Sequence, residues 1–151
     1  MANSSIESQI HPTAIIHPEA QLGNRVRVGA YSVIGEGVVL GDECELQEHV
    51  SIRGNTILGK GVRVFPFAVI GSEPQHLHYK QEPTLTEIGD RTVIRESVTV
   101  HRGTTQGTGK TKIGSDSYLM AYAHVAHDCE IGSHVILCNA VQLAGHVVVE
   151  D

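Results

Sequence analysis

Histidine is the residue type with the clearest chemical potential in this sequence, which contains 10 of them. Imidazole titrates near neutral pH, so it can act as a general base or bind a metal ion. His101, His127 and His146 each lie shortly after an aliphatic residue of a repeating pattern, and Asp128 follows His127 directly. Three interpretations are open at this point: a general base, a metal site, or polar surface residues without a chemical role.

The repeating pattern is an aliphatic residue at every sixth position. In its first block these residues are Ile10, Ile16, Leu22, Val28, Ile34, Leu40, Leu46, Ile52, Leu58, Val64 and Ile70. The phase returns at Ile88, Ile94 and Val100, and then runs from Ile113 to Val149. Small residues, which should also pack inside, lie four positions after most of them. This period fits neither an α-helix nor simple strand alternation, but it fits a coil of short stacked parallel strands.

The six-residue pattern resembles the hexapeptide-repeat transferase superfamily. That resemblance implies an all-β fold, a left-handed parallel β-helix in which three hexads form one coil of a triangular solenoid. We expect residues 10–151 to form this solenoid after a leader of residues 1–9. Two interruptions of the phase, at about residues 72–87 and 105–112, are too polar or too rich in Gly and Thr for the core, so we expect extruded loops.

A coil of three hexads sorts the outward-facing residues into three faces. Ile15, Val33, Ser51 and Val69 would share the first face, Gln21, Val39 and Ile57 the second, and Arg27, Glu45 and Arg63 the third. Two largely apolar faces indicate contact with other subunits. We therefore expect a homo-oligomer, and the superfamily resemblance implies a trimer.

The stacking of coils also places the histidines. Val125 and Leu143 are one coil apart, so His127 and His146 should lie close together. If the second interruption is a pure extrusion, His101 joins them along the same face.

Composition excludes several functional classes. A net charge of −6 without a run of Lys or Arg argues against nucleic-acid and membrane-surface binding. No apolar stretch is long enough to span a membrane, and the first residues do not resemble a signal peptide, so we expect a cytoplasmic protein. Cys44, Cys129 and Cys138 lack metal-site spacing and are expected to be buried thiols.

Four segments carry a closer resemblance: Val100–Thr104, Ala123–Cys129, Leu143–His146 and Gly71–Gln75. Together they resemble the UDP-N-acetylglucosamine O-acyltransferase family. The resemblance implies transfer of a 3-hydroxyacyl chain from acyl carrier protein to the glucosamine 3-hydroxyl of UDP-N-acetylglucosamine, the first step of lipid A biosynthesis. It implies neither a metal ion nor a cofactor.

The same resemblance implies roles for individual residues. His127 would be the general base, Asp128 would orient its imidazole, and the backbone N–H of Gly145 would stabilise the oxyanion. The substrate-binding candidates are Gln75, His76, His78, His101, His124 and His146.

Two departures from the family pattern bear on function. The family reads Gln-Asp-Leu-Lys-Tyr in the first loop, where this sequence has Gln75-His76-Leu77-His78-Tyr79. An ester product at the sugar 3-hydroxyl and an amide product at a 3-amino sugar therefore both stay open. The family also continues into further coils and a C-terminal helical domain, so we expect this sequence to be a fragment or a truncated gene product with impaired activity.

Three other functions are compatible with the sequence. The first is the N-acyltransferase that acts later in the same pathway, which would carry a separate N-terminal uridine-binding domain. The second is the trimeric carbonic anhydrase of the same fold, whose zinc is held by three histidines and which metal analysis would identify. The third is a structural solenoid without catalysis, for which loss of the His127 imidazole would change only stability.

Overall fold

Each hexad forms one short strand whose first side chain faces outward and whose second side chain faces inward. In the computed structural model, which describes residues 7–151, Val33 is half-buried on the outside and Ile34 is buried. Ile34 pairs in parallel with Ile16 of the previous coil and with Ile52 of the next coil. The parallel β-helix predicted from the six-residue period is confirmed.

The strands form three parallel sheets of seven strands each. The first sheet contains β1 (Gln9–Ile10), β4 (Arg27–Val28), β7 (Glu45–Leu46), β10 (Arg63–Val64), β13 (Val93–Ile94), β16 (Tyr118–Leu119) and β19 (Ile136–Leu137). The second contains β2 (Ile15–Ile16), β5 (Val33–Ile34), β8 (Ser51–Ile52), β11 (Val69–Ser72), β14 (Thr99–His101), β17 (His124–Val125) and β20 (Gln142–Leu143). The third contains β3 (Gln21–Leu22), β6 (Val39–Leu40), β9 (Asn55–Leu58), β12 (Leu85–Ile88), β15 (Lys110–Ile113), β18 (Glu130–Ile131) and β21 (Val148–Val149).

The core is a column of branched aliphatic side chains from all three sheets. Small residues at the second inward position of each hexad are buried with them, as predicted. Some of these small residues are polar and bond the backbone of the neighbouring coil: the hydroxyl of Ser32 donates to the carbonyl of Gln47 (2.8 Å) and accepts from the N–H of Val50 (3.0 Å). Most buried hydroxyls here find a hydrogen-bond partner, whereas the hydroxyl of Thr86 has none within residues 7–151.

The predicted sorting of outward residues agrees with the strand register. Arg27, Glu45 and Arg63 follow one another on the first sheet, where the Glu45 carboxylate lies 2.7 Å from the Arg27 guanidinium and 3.7 Å from that of Arg63. Ile15 and Val33 are neighbours on the second sheet, and Val39 and Ile57 are neighbours on the third sheet.

The predicted loops at about residues 72–87 and 105–112 differ from the observed ones, because in both cases the strand after the loop begins earlier than predicted. β12 begins at Leu85 and β15 at Lys110, so the first loop spans residues 73–84 and the second residues 102–109. Both strands begin early because Thr86 and Thr111 face inward, where they are buried and pair with each other in register. The predicted leader of residues 1–9 also differs from the structure, because Gln9 already belongs to β1, whereas residues 1–6 lie outside the described part of the chain.

Two further expectations concern cysteines and membranes. Cys44 and Cys129 are buried as predicted, and burial raises the pKa of the Cys44 thiol to about 11. The expectation was wrong for Cys138, which is exposed because its side chain follows the inward Leu137 at a corner. Within residues 7–151 there is no helix with the length and hydropathy needed to cross a membrane.

Candidate active site

One corner of the solenoid, between the second and third sheets, carries both loops and the histidines. The first loop leaves β11 and enters β12, and the second leaves β14 and enters β15. In the next two coils the same corner consists of residues 126–129 and 144–147. We call this the loop-bearing corner. The register of Val100 with Val125 and of Val125 with Leu143 confirms the predicted stacking of the hexads before His101, His127 and His146.

His127 and Asp128 form a hydrogen-bonded pair at this corner. Nδ1 of His127 lies 2.9 Å from Oδ2 of Asp128, and their side chains are 12% and 0% exposed. The Asp128 backbone adopts a left-handed conformation with φ of 58°, and its N–H donates to Oγ1 of Thr111 at 2.9 Å. The turn thus aims the carboxylate inward and the imidazole outward.

The buried carboxylate of Asp128 is surrounded by donors from the second loop. It accepts hydrogen bonds from the N–H of Thr104 (3.1 Å), the hydroxyl of Thr104 (2.7 Å) and the N–H of Gly109 (3.2 Å). Burial alone raises the pKa of Asp128, but the hydrogen bonds from Thr104 and His127 outweigh it, so the pKa lies below its ordinary value. Asp128 is therefore a carboxylate at neutral pH.

This ionisation decides which imidazole nitrogen carries the proton. A carboxylate only accepts hydrogen bonds, so Nδ1 of His127 must donate to Asp128. In the neutral ring, Nε2 then keeps a free lone pair, which is the form that a general base requires.

A cleft of about 350 Å³ opens beside the His127 ring. Its lining consists of Gln75, His124, Ala126, His127, Gln142, Leu143, Ala144 and Gly145. We call this the His127 cleft. Of the candidates predicted from sequence, Gln75, His124 and Gly145 therefore come together with His127.

His76 and His146 flank the His127 ring, with ring centroids 5.2 and 5.1 Å from that of His127. The backbone of His146 is left-handed, and its N–H donates to the carbonyl of His127 at 3.0 Å. His78 lies further out: it is exposed, and its ring centroid is 5.8 Å from that of His76.

The first loop is attached to the solenoid by Arg102 and Tyr79. Nε of Arg102 donates to the Tyr79 hydroxyl at 2.8 Å, and the guanidinium lies over the Tyr79 ring. The Tyr79 hydroxyl in turn donates to the carbonyl of Glu82 at 2.8 Å. These contacts hold the Gln75–His78 segment against the His127 cleft.

Gly145 approaches the His127 ring so closely that a side chain would displace it. A Cβ at position 145 would lie 2.6 Å from Cε1 and 2.8 Å from Nε2 of His127. Because Asp128 fixes the other side of the ring, we expect Gly145→Ala to lower any activity that depends on Nε2 by about 10²-fold. Rates of this variant and of Gly35→Ala, at the same corner of a distant coil, would test this. Equal rates for both variants would contradict it.

His124 and His101 form a second histidine pair behind the cleft. Nδ1 of His124 lies 2.7 Å from the Thr99 hydroxyl, and its ring centroid is 4.8 Å from that of His101. His101 is buried, and its Nδ1 has no hydrogen-bond partner within residues 7–151. Burial and the neighbouring His124 and His127 lower the pKa of His101 to about 4. His101 is thus held neutral at physiological pH.

The low pKa of His101 predicts acid sensitivity of the fold. The unfolded imidazole binds a proton below its ordinary pKa of 6.5, whereas the folded one resists protonation down to about 4. Its contribution to stability is therefore complete above pH 6.5 and is lost as the pH falls towards 4. Between pH 7 and 4, the free energy of unfolding should fall by roughly 2–3 kcal/mol more in the natural chain than in His101→Leu. Denaturant titrations at several pH values would show this, and parallel curves for the two proteins would refute it.

Some residues of the site were not predicted. Thr104, Thr108 and Gly109 surround Asp128, and Gln142 lines the His127 cleft. The hydroxyl-rich and glycine-rich composition of the second interruption was the available signal. This composition indicated a binding loop, but it did not indicate that the group bound by the loop is the Asp128 carboxylate of the same chain.

Comparison with known proteins identifies the family to which the chain is similar. Residues 19–54 and 110–145 match the family described as bacterial transferase hexapeptide (six repeats). The acyl-[acyl-carrier-protein]--UDP-N-acetylglucosamine O-acyltransferase of Thermodesulfovibrio yellowstonii is 48% identical over 144 residues, which is 95% of this chain and 56% of that protein.

Solved structures show the same relationship. A crystal structure of a UDP-N-acetylglucosamine acyltransferase superimposes with a TM-score of 0.92 at 48% identity, over 93% of this chain and 54% of that one. The UDP-N-acetylglucosamine acyltransferase of Francisella novicida gives a TM-score of 0.92 at 41% identity, over 95% and 52%. The chain thus spans about half the length of the relatives it matches. In sequence and in fold, it belongs to the UDP-N-acetylglucosamine O-acyltransferase family of bacterial hexapeptide transferases.

Proposed function

We propose that the protein transfers a 3-hydroxyacyl chain from acyl carrier protein to the glucosamine 3-hydroxyl of UDP-N-acetylglucosamine, the first step of lipid A biosynthesis. The observation that carries this proposal is the His127–Asp128 pair, in which Nε2 is free beside the His127 cleft. The family relatives named for this reaction support the choice of substrates.

In the proposed reaction, Nε2 of His127 takes the proton of the sugar hydroxyl while the oxygen attacks the thioester carbonyl. The new C–O bond gives a tetrahedral intermediate with a negatively charged oxygen. When this intermediate collapses, the C–S bond breaks, and the imidazolium returns the proton to the thiolate of the carrier protein. Asp128 holds the imidazole in the required tautomer and stabilises its charged form.

The backbone N–H of Gly145 is the proposed donor to the oxyanion. It pairs with no acceptor within residues 7–151, and it lies beside the His127 ring. A donor that is already in place and lacks a competing partner stabilises developing charge without reorganisation.

The sugar atom that accepts the acyl group, oxygen or nitrogen, distinguishes two candidate acceptors. A 3-amino sugar nucleotide is the alternative, because His76 and His78 replace an acidic and a basic residue of the family pattern. An amide product resists mild alkali, whereas an ester product does not, so the two acceptors give distinguishable products.

The proposed assembly is a homotrimer. Apolar side chains follow one another on the outer surface: Ile15 (65% exposed) is next to Val33 on the second sheet, and Ile57 (40% exposed) is next to Val39 on the third sheet. Contiguous exposed apolar surface is typical of subunit contacts. Sedimentation equilibrium would report three chains per particle if the proposal holds. The cytoplasm is the proposed compartment, since free cysteines are typical of reducing compartments.

The activity is tested by incubating the chain with 3-hydroxyacyl carrier protein and UDP-N-acetylglucosamine, followed by mass spectrometry of the nucleotide sugar. We expect an ion heavier than UDP-N-acetylglucosamine by one 3-hydroxyacyl group, sensitive to mild alkali. Absence of this product, with a full-length family member as positive control, would contradict the proposal for this chain. An alkali-stable product from the 3-amino sugar would favour the alternative acceptor.

A further inference from the structure

The second loop folds over the Asp128 carboxylate and closes it off from solvent. Its turn at residues 105–108 is exposed, whereas the Asp128 side chain that it contacts is 0% exposed. The carbonyl of Thr104 accepts hydrogen bonds from the N–H groups of Gly107 (3.2 Å) and Gly109 (3.0 Å), so the turn is held by its own backbone. The carboxylate therefore lies under a compact cover, which consists of residues 102–109.

Gly107 is the residue whose backbone packs directly on this carboxylate. A Cβ at position 107 would lie 2.5 and 2.6 Å from the two carboxylate oxygens of Asp128. Because Cβ atoms essentially never approach other heavy atoms below 3.0 Å, a side chain here would push the turn and the carboxylate apart. The φ of Gly107 lies outside the left-handed region, so its backbone conformation does not itself require glycine. The close approach to Asp128 does require it.

The cover affects the imidazole because it controls the surroundings of the Asp128 carboxylate. The carboxylate accepts hydrogen bonds from Thr104 and Gly109 of the cover and from Nδ1 of His127. A hydrogen bond between the carboxylate and Nδ1–H is stronger where water cannot compete for either group. If the cover were lifted, water would solvate the carboxylate, and neutral His127 could carry its proton on either nitrogen.

We propose that Gly107 is a positioning residue, whose missing side chain lets the second loop close over Asp128 and thereby keeps the proton of His127 on Nδ1. Gly107 acts through Asp128 and is not a catalytic residue. The consequence for catalysis rests on the proposed function, because only a general base needs the free lone pair on Nε2. The consequence for the tautomer does not rest on it.

The tautomer is tested by NMR of the whole chain with ¹⁵N-labelled histidine, since the shifts of the two ring nitrogens differ between tautomers. His127→Gln identifies the His127 signals by their loss. For the neutral ring, we expect the Nδ1–H tautomer alone in the natural chain and both tautomers in Gly107→Ala. Gln106→Ala, which shortens the exposed neighbouring side chain of the same turn, should give the natural pattern. Identical His127 signals in Gly107→Ala and the natural chain would overturn the proposal.

Hydrogen exchange of the natural chain tests the cover without any substitution. The N–H groups of Thr104 and Gly109 donate to the buried carboxylate, whereas that of Gln106 has no acceptor within residues 7–151. The first two should exchange at least about 10²-fold more slowly than the third. Equal rates would mean that the cover is open, and they would overturn the proposal even if circular dichroism shows Gly107→Ala to be unfolded.

Steady-state kinetics test the catalytic consequence. If the chain transfers acyl groups, Gly107→Ala should lower kcat by about 10–10²-fold and change KM by less than about threefold, because the base is misplaced while the surface that binds substrate is kept. A higher KM with unchanged kcat would overturn the role of Gly107 in positioning the base. If the chain transfers none, the proposed function fails, while the NMR spectra still decide whether Gly107 positions the Asp128–His127 pair.

Discussion

Replacing His127 with alanine is expected to lower the rate of acyl transfer by about 10²–10⁴-fold, the usual contribution of a general base. The reason is that Nε2 of His127 is the free nitrogen of a ring whose Nδ1 is held by a buried carboxylate. The His127 side chain lies outside the aliphatic column, but its loss removes one donor from the buried Asp128 carboxylate, so the free energy of unfolding should fall by about 1 kcal/mol. Product formation by mass spectrometry and thermal unfolding would measure both effects.

The matched control is His134→Ala, which removes an exposed histidine at the corner between the third and first sheets, away from the loop-bearing corner. It should leave the rate and the thermal midpoint unchanged. If His127→Ala and His134→Ala transfer acyl groups at the same rate, His127 is not the base. If neither they nor the natural chain yields product, the structural solenoid becomes the better interpretation of this chain.

The fold was predictable because the interior of a narrow solenoid constrains two positions of each hexad, one aliphatic and one small. Ile34 and Ile52 face the same column from consecutive coils, so both must be apolar, and their separation reports the length of a coil. Outward positions carry no such constraint. Lys110 and Lys112 therefore looked like loop residues, although they belong to β15 and face Glu87 and Glu130 on the neighbouring strands.

The candidate site was only partly predictable: residues on the repeating coils could be placed from the six-residue period, and residues in the loops could not. His146 was expected near His127 because coils repeat, and the hydrogen bond between their backbones agrees with this. His76 lies in a loop without periodicity, so its contact with the His127 ring could not be derived from spacing. The same holds for the Arg102 bond to Tyr79, which attaches that loop to the solenoid. The resemblance named His76 as a candidate but could not supply its geometry.

His101 illustrates a different limit. Its place in the sequence suggested a polar residue on an outward face, yet it is buried behind His124. The reason is that β14 continues through His101, which pairs with Ser72 at an irregularity next to the first loop. Sequence spacing gives the coil on which a residue lies, but the local bend of the backbone decides whether its side chain faces the cleft.

Asp128→Asn is expected to reduce both activity and stability. In this nearly isosteric change an NH₂ group replaces one carboxylate oxygen. Thr104 donates to the carboxylate through both its N–H and its hydroxyl, and Gly109 donates through its N–H, so at least one buried donor would then meet another donor. An unsatisfied buried group costs about 1–3 kcal/mol, which denaturant titration would detect.

The loss of activity in Asp128→Asn should be larger than its loss of stability implies. Asparagine provides no charge to stabilise the imidazolium, and it can hold His127 in the tautomer whose Nε2 carries the proton, which leaves no free lone pair towards the cleft. A comparable change in a catalytic triad lowers the rate by about 10⁴-fold. We therefore expect a fall of about 10³–10⁴-fold at a temperature where the variant is folded. Thr104→Val, which removes one hydroxyl donor but keeps the charge, should lose stability with a much smaller fall in rate. If both variants lose activity only in proportion to the unfolded fraction, Asp128 is structural, and the imidazole needs no carboxylate to act.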